Sequence, residues 1–158
     1  MSYFAAALTR SNGGWTGREM DLREFEDLES VSEALRDLDP DGPALLLLEQ
    51  DDEWLAVVRV DGDGDPRVFL SDRRAVQTSE VAALVWVDEE EEPVDDDDEG
   101  TRPVAEPVGD ANLLADLGTP EEELLELCAH ERLLPADVLS AVGEKAGFVD
   151  VLDSLREV

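Results

Sequence analysis

The sequence is poor in basic residues, cysteine, histidine and aromatic side chains. Its 158 residues include 42 acids but only 12 Lys and Arg, which leaves a formal net charge of −30. So few cations argue against binding of bare nucleic acid, because affinity for phosphates comes mostly from Lys and Arg. A charge this negative is also repelled by an anionic membrane surface. It suits solubility, adaptation to high salt, or docking on a basic partner.

Long apolar runs are missing as well. No run approaches the roughly 20 residues that a membrane span needs, and the start, Met1-Ser2-Tyr3-Phe4, lacks a basic stretch followed by an apolar core. We therefore expect a soluble cytoplasmic protein that does not contact membranes.

The scarcity of Cys and His excludes most metal hydrolase chemistries. Cys128 is the only cysteine, so no intramolecular disulfide is possible. His130 is two residues away, and on a helix that spacing directs the two side chains to different sides, so we interpret Cys128 as a packed thiol. A Gly-rich phosphate loop, a zinc cluster and a Ser-His-Asp set are all missing. We expect no catalytic residues, no metal, no cofactor and no enzyme activity.

Hydrophobic patterning predicts an α+β fold in the first half of the chain. Residues 3–8 and 15–22 flank an Asn-Gly turn and indicate a hairpin. Leu28, Val31, Leu35 and Leu38 recur at helical spacing, with Ser30 and Glu33 as a possible capping box. Residues 44–49, 54–60 and 67–70 then predict a three-strand meander, and residues 74–87 a helix that passes into an extended exit.

The middle of the chain is an acidic run. Residues 88–99 contain ten acids, and prolines continue to about residue 110, so the segment cannot bury enough apolar surface to offset its chain entropy. We predict an α+β domain over 1–87 and an acidic disordered linker over 88–110. The linker either tethers the folded parts or mimics phosphate, and tethers are the more usual role of such runs.

Order is expected to return as a small helical bundle over 111–158. Thr119-Pro120-Glu121-Glu122 predicts a helix start capped by Thr119, Pro135 begins a second helix that ends near Gly147, and Phe148 opens a third. Leu113, Leu114 and Leu117 lie on a short leading helix. About 45 residues are close to the lower limit for independent stability, so this bundle is expected to dock on the first domain or on a partner.

Two clusters of the first domain are candidate sites. Asp61 to Asp65 begins like a calcium loop, but Pro66 stands where that loop needs Gly and Asp72 where it needs Glu, so we predict a plain turn. The other candidates for partner contact are Glu49, Trp54, Arg59, Arg67, Arg73 and Arg74. Two interpretations of the four arginines stay open, namely pairing with neighbouring acids or contact with a partner.

Three segments together resemble the tRNA adenosine deaminase-associated protein family. They are SYFAAALTR at the start, LLLLEQDDEWLAVVRVDGDGDPRVFLSD at 45–72, and LLADLGTPEEELLELCAHERLLPADVLSAVGEKAGF near the end. The resemblance covers nearly the whole chain except the acidic middle, and it implies a partner rather than a reaction. A zinc deaminase needs a H-x-E and a P-C-x-x-C element. Because Cys128 is alone, the chain is not itself that enzyme.

The leading hypothesis is a non-enzymatic accessory protein that docks through an acidic surface on a basic protein partner, such as the deaminase. The alternatives are a small enzyme or ligand-binding domain with a site near Glu49, Trp54 and Arg59, and an acidic inhibitor that mimics nucleic acid. The sequence leaves the oligomeric state open.

Overall fold

The structure, a computed structural model, describes residues 3–11, 14–38, 43–50, 53–61, 66–72, 75–86, 107–129 and 134–156. Its strands are β1 (Tyr3–Ser11), β2 (Gly14–Glu19), β3 (Pro43–Gln50), β4 (Trp54–Asp61), β5 (Arg67–Leu70) and β6 (Val108–Gly109). Its helices are α1 (Leu28–Leu38), α2 (Ala75–Thr78), α3 (Glu80–Val85), α4 (Glu121–Ala129), α5 (Pro135–Ala146) and α6 (Val149–Arg156), with 3₁₀ turns at Leu22–Glu24 and Ala115–Leu117. The α+β class is confirmed. No described helix is long and apolar enough to cross a membrane.

The six strands form one antiparallel sheet in the order β2-β1-β3-β4-β5-β6. The predicted hairpin is β1 and β2, and the predicted meander is β3, β4 and β5. The turn residues Asn12 and Gly13 lie outside the described residues. Strand β3 is central and its Leu45 to Leu48 are fully buried, as expected for a strand covered on both faces.

Each face of the sheet carries its own hydrophobic cluster, because successive side chains of a strand point to opposite sides. Leu46, Leu48, Val58 and Leu70 face the layer formed by α1, α2, α3 and the 3₁₀ turn at Leu22. Leu45, Leu47, Val57 and Phe69 face the helices after residue 110. The helices therefore cover the two faces separately.

Helix α1 begins two residues before the predicted capping box. The carboxylate of Asp27 accepts hydrogen bonds from the backbone N–H of Ser30 at 2.9 Å and from its hydroxyl at 2.8 Å. Asp27 is therefore the N-cap residue of α1, and the prediction of a capping box formed by Ser30 and Glu33 was wrong. An acceptor at this position satisfies an N–H that has no partner within the helix.

The chain after residue 107 packs on the sheet. Val108 and Gly109, placed by the sequence in the linker, pair with β5, and Leu124, Leu139 and Phe148 of the helical part share one cluster with Leu45 and Leu47. At Gly17 of β2 an added Cβ would lie 2.6 Å from Leu8 and 2.7 Å from Val151 of α6. The missing side chain is what allows α6 to approach this strand.

The start of helix α4 differs from its prediction. The carbonyl of Pro120 accepts the first helical hydrogen bond, from Leu124 at 3.0 Å, and the buried hydroxyl of Thr119 has no hydrogen-bond partner among the described residues. Thr119 therefore lies one residue too early to cap. The predicted end at Gly147 is confirmed, with a left-handed φ of 99° and its N–H bonded to the carbonyl of Gly143.

Candidate functional site

Arg59 is buried beneath the C-terminal segment. On β4 its side chain is 7% exposed, and its guanidinium contacts Asp116 through Nη1 at 2.5 Å and Nη2 at 2.8 Å. Nη1 also donates to the carbonyl of Leu113 at 2.6 Å, and Nε to Asp61 at 3.0 Å. The hydrogen bonds from Arg59 lower the pKa of Asp116, because they stabilise its charged form. Arg59 thereby joins the sheet to the segment that leads into α4.

Arg67 makes a second link of the same kind. It is opposite Arg59 in the β4–β5 pairing, and its Nε donates to Asp110 at 2.8 Å while Nη1 lies 3.8 Å from Asp61. The hydrogen bond from Arg67 lowers the pKa of Asp110. Both described arginines of the predicted cluster thus pair with acids of the chain itself, whereas Arg73 and Arg74 lie outside the described residues.

The structure does not bring Glu49, Trp54 and Arg59 together. Trp54 is 3% exposed and packs in the cluster below α1, while Arg59 follows Leu55 and Val57 on the opposite face. Glu49 is paired with Leu55, and Arg59 with Leu45. Four residues along a strand separate their positions by about 13 Å. These three residues do not line a common pocket.

The structure describes Cys128, but it leaves out most of the acidic turn at 61–65. Burial raises the pKa of the Cys128 thiol to about 12, which disfavours the nucleophilic thiolate. Residues 62–65 of the acidic turn and His130 lie outside the described residues. Within the described ranges no group of three or more His, Cys, Asp or Glu is placed to hold a metal ion.

Three depressions of the described surface adjoin the segment Met20–Glu26 between β2 and α1, here called the ridge. A groove of about 460 Å³ separates the ridge from α1, and one of about 420 Å³ separates it from α3. Phe25 lines both grooves. A smaller depression of about 350 Å³ lies between the ridge and the first residues of β1. None of the predicted site residues lines these three depressions.

Hydrogen bonds hold the ridge against β1. The backbone N–H of Leu22, which is 1% exposed, donates to the Tyr3 hydroxyl at 2.8 Å, and that hydroxyl donates to Asp21 at 3.1 Å. Asp21 also accepts from Arg23 Nε at 3.0 Å and Nη2 at 3.1 Å. These bonds, above all the one from the Arg23 side chain, lower the pKa of Asp21 to about 2. The ridge is therefore held against β1 by its buried leucine and by the hydrogen bonds of the Tyr3 hydroxyl.

The two grooves combine an apolar floor with an acidic rim. Their apolar lining includes Met20, Phe25, Leu38, Val81 and Leu84. Six carboxylates and two arginines complete the lining, a net formal charge of −4; these are Glu19, Asp21, Glu24, Glu26, Asp37 and Glu80 with Arg18 and Arg23. This surface is not apparent in the sequence, because its lining comes from three separate segments of the chain.

Comparison with known proteins finds one family and one relative. The family model described as Rv3753c-like tRNA adenosine deaminase-associated protein matches residues 3–149. Protein Rv3753c of Mycobacterium tuberculosis (strain ATCC 25618 / H37Rv) is 31% identical over 152 residues, which are 96% of this chain and 86% of the relative. No solved structure matches the chain.

Proposed function

Since the chain belongs to the Rv3753c-like tRNA adenosine deaminase-associated protein family, we propose that it is a non-enzymatic accessory protein that binds a tRNA adenosine deaminase. The description of the family is the observation that carries this proposal. It names an association and no reaction. A deaminase works on tRNA, so the accessory protein would act in the cytoplasm.

Charge supports contact with the enzyme rather than with its RNA. A chain of net charge −30 repels phosphates, and two of its described arginines, Arg59 and Arg67, are engaged with Asp116 and Asp110. A protein surface built to hold tRNA is basic, and it attracts an acidic partner at long range. The partner surface in this proposal is therefore basic.

The proposal is tested with the full chain and the purified tRNA adenosine deaminase of the same organism. Calorimetric titration is expected to give a defined stoichiometry at low salt and an affinity that falls as salt rises, because screening weakens contacts between charged surfaces. Absence of heat and of co-elution at 50 mM and at 500 mM salt would refute the association. The deaminase alone serves as the reference for its own oligomeric state.

A variant that lacks residues 88–99 separates the two proposed roles of the acidic run, which lies outside the described residues. A run that mimics phosphate contributes ten carboxylates to the contact, so its removal would weaken binding and flatten the salt dependence. A tether predicts unchanged affinity. We propose the tether, because charge runs between folded segments are usually spacers.

A further inference from the structure

We infer that the ridge and its two flanking grooves are the docking surface for a basic amphipathic segment of a protein partner. This inference rests on the proposed function in its choice of partner, but it assigns a surface that the family description does not. The occupant combines two chemical features, apolar side chains for the floor and Lys or Arg for the rim. Both follow from the lining of the grooves.

The shape of the surface suits an inserted peptide segment. Phe25 stands between the grooves, and the floors on its two sides are formed by side chains of α1 and α3, among them Leu38, Val81 and Leu84. These side chains pack on the buried cluster of the sheet yet remain partly accessible. Apolar side chains that enter such grooves lose contact with water, which favours binding.

The acidic rim of the grooves favours a partner segment of positive charge. Of the acids along the grooves, Glu24, Glu26, Asp37 and Glu80 are exposed and have no hydrogen bond or ion pair with another described side chain. They remain available to Lys or Arg of an occupant. Their field also opposes an acidic peptide and nucleic acid, since like charges brought together cost free energy.

The ridge is pre-organised for docking. Tyr3 and Asp21 hold its backbone through Leu22 and Arg23, and the helices on both sides are anchored by fully buried residues such as Leu35 and Val85. A surface that is already ordered loses less conformational entropy when a ligand binds. Affinity at this surface therefore does not depend on folding of the ridge.

Matched charge reversals test the rim. The double variant Glu24→Lys/Asp37→Lys changes the groove, and Glu122→Lys/Asp153→Lys makes the same change of charge at exposed positions of α4 and α6. In titrations with the deaminase, the groove variant is expected to weaken binding about tenfold or more and the control less than about threefold. Equal losses would overturn the groove as the docking surface, because charge alone would then explain binding.

Matched polar substitutions test the floor. Leu84→Gln alters α3 in the groove, and Leu125→Gln alters α4; both leucines are partly buried and helical. The groove variant is expected to lose about tenfold in affinity at 500 mM salt, where screening removes most of the electrostatic contribution, and the control to keep wild-type affinity. Urea unfolding of each variant identifies any loss that comes from misfolding.

A titration with model peptides tests the grooves independently of the identity of the partner. An amphipathic Lys/Leu peptide and a Lys/Gly peptide of equal charge are titrated into the ¹⁵N-labelled full chain and followed by NMR. The Lys/Leu peptide is expected to shift amide signals of residues 20–26, 34–38 and 80–84 in the wild type but not in the Leu84→Gln variant. Shifts spread over both faces, or equal shifts with both peptides, would refute the groove even if the deaminase binds; localised shifts without deaminase binding would instead refute only the proposed partner.

Discussion

The guanidinium of Arg59 donates two hydrogen bonds, of 2.5 and 2.8 Å, to the carboxylate of Asp116, which lies 57 residues further along the sequence. Arg59 is on the fourth strand and Asp116 in the 3₁₀ turn that leads to α4. The acidic run lies between them in the sequence. The Arg59–Asp116 pair, here called the clamp, joins the sheet to the C-terminal segment that follows the acidic run in the sequence, and the Arg67–Asp110 pair makes a second link.

Removal of the Asp116 carboxylate is expected to destabilise the protein. Asp116→Asn leaves a buried arginine with weaker partners, so we expect the free energy of unfolding to fall by about 1–3 kcal/mol. Urea denaturation followed by circular dichroism measures it. Asp153→Asn, at an exposed position of α6, is the matched control and should change it by less than about 0.5 kcal/mol. An equal effect of both substitutions would contradict a stabilising role of the Arg59–Asp116 pair.

The contribution of the clamp is expected to depend on pH. Hydrogen bonds from Arg59 lower the pKa of Asp116 in the folded state, so the stabilisation is complete above the unfolded pKa, near 3.9, and is lost as pH falls through the lower folded pKa. The difference in unfolding free energy between wild type and Asp116→Asn should therefore shrink from pH 6 to pH 2. In an Arg59→Met background most of that pH dependence should disappear, and its full persistence would assign the lowered pKa of Asp116 to its other contacts, such as the charge of Arg67.

Gly17 is expected to tolerate no side chain. In Gly17→Ala the new Cβ would meet Leu8 and Val151 at distances below 3.0 Å, so α6 must shift away from β2, and we expect a loss of about 1–3 kcal/mol in unfolding free energy. Gly14→Ala is the control in the same strand, because no atom lies within 4 Å of its added Cβ. A neutral Gly17→Ala would show that α6 does not pack as described.

Cys128 is expected to be nearly inert in the folded protein. A thiol whose pKa is raised by burial to about 12 has about a thousandfold less thiolate at pH 8 than one with the usual pKa of 9.0. Reaction with a disulfide reagent should be correspondingly slow in buffer and fast in concentrated urea. As the single cysteine, it makes the signal unambiguous. Fast reaction in buffer would reopen a reactive role for this residue.

Local patterning was enough to predict most elements. The apolar runs of β1 and β3 and the helical spacing from Leu28 to Leu38 are properties of neighbouring residues, so the sequence shows them directly. Predictions failed where a shift of one to three residues decides the outcome. Asp27 rather than Ser30 caps α1, and Thr119 misses its capping role at α4.

The candidate site was much less predictable. Arg59 and Arg67 were identified as a local excess of positive charge, but their partners Asp110 and Asp116 are 43 and 57 residues away, and only the packing of the C-terminal segment on the sheet selects them from among 42 acids. The ridge was missed for a related reason. Its grooves exist only because residues 20–26, α1 and α3 meet on one face.

The sequence by itself determined the acidity of the chain, its family, most of its strands and helices, and the absence of a disulfide within the chain, because these follow from composition and from short-range patterns. Tertiary structure alone decided which face each helix covers, which acids neutralise the arginines, and where an apolar groove is rimmed by carboxylates. Those outcomes depend on contacts between residues distant in the chain, and such contacts are selected by the packing of the whole sheet rather than by any local pattern.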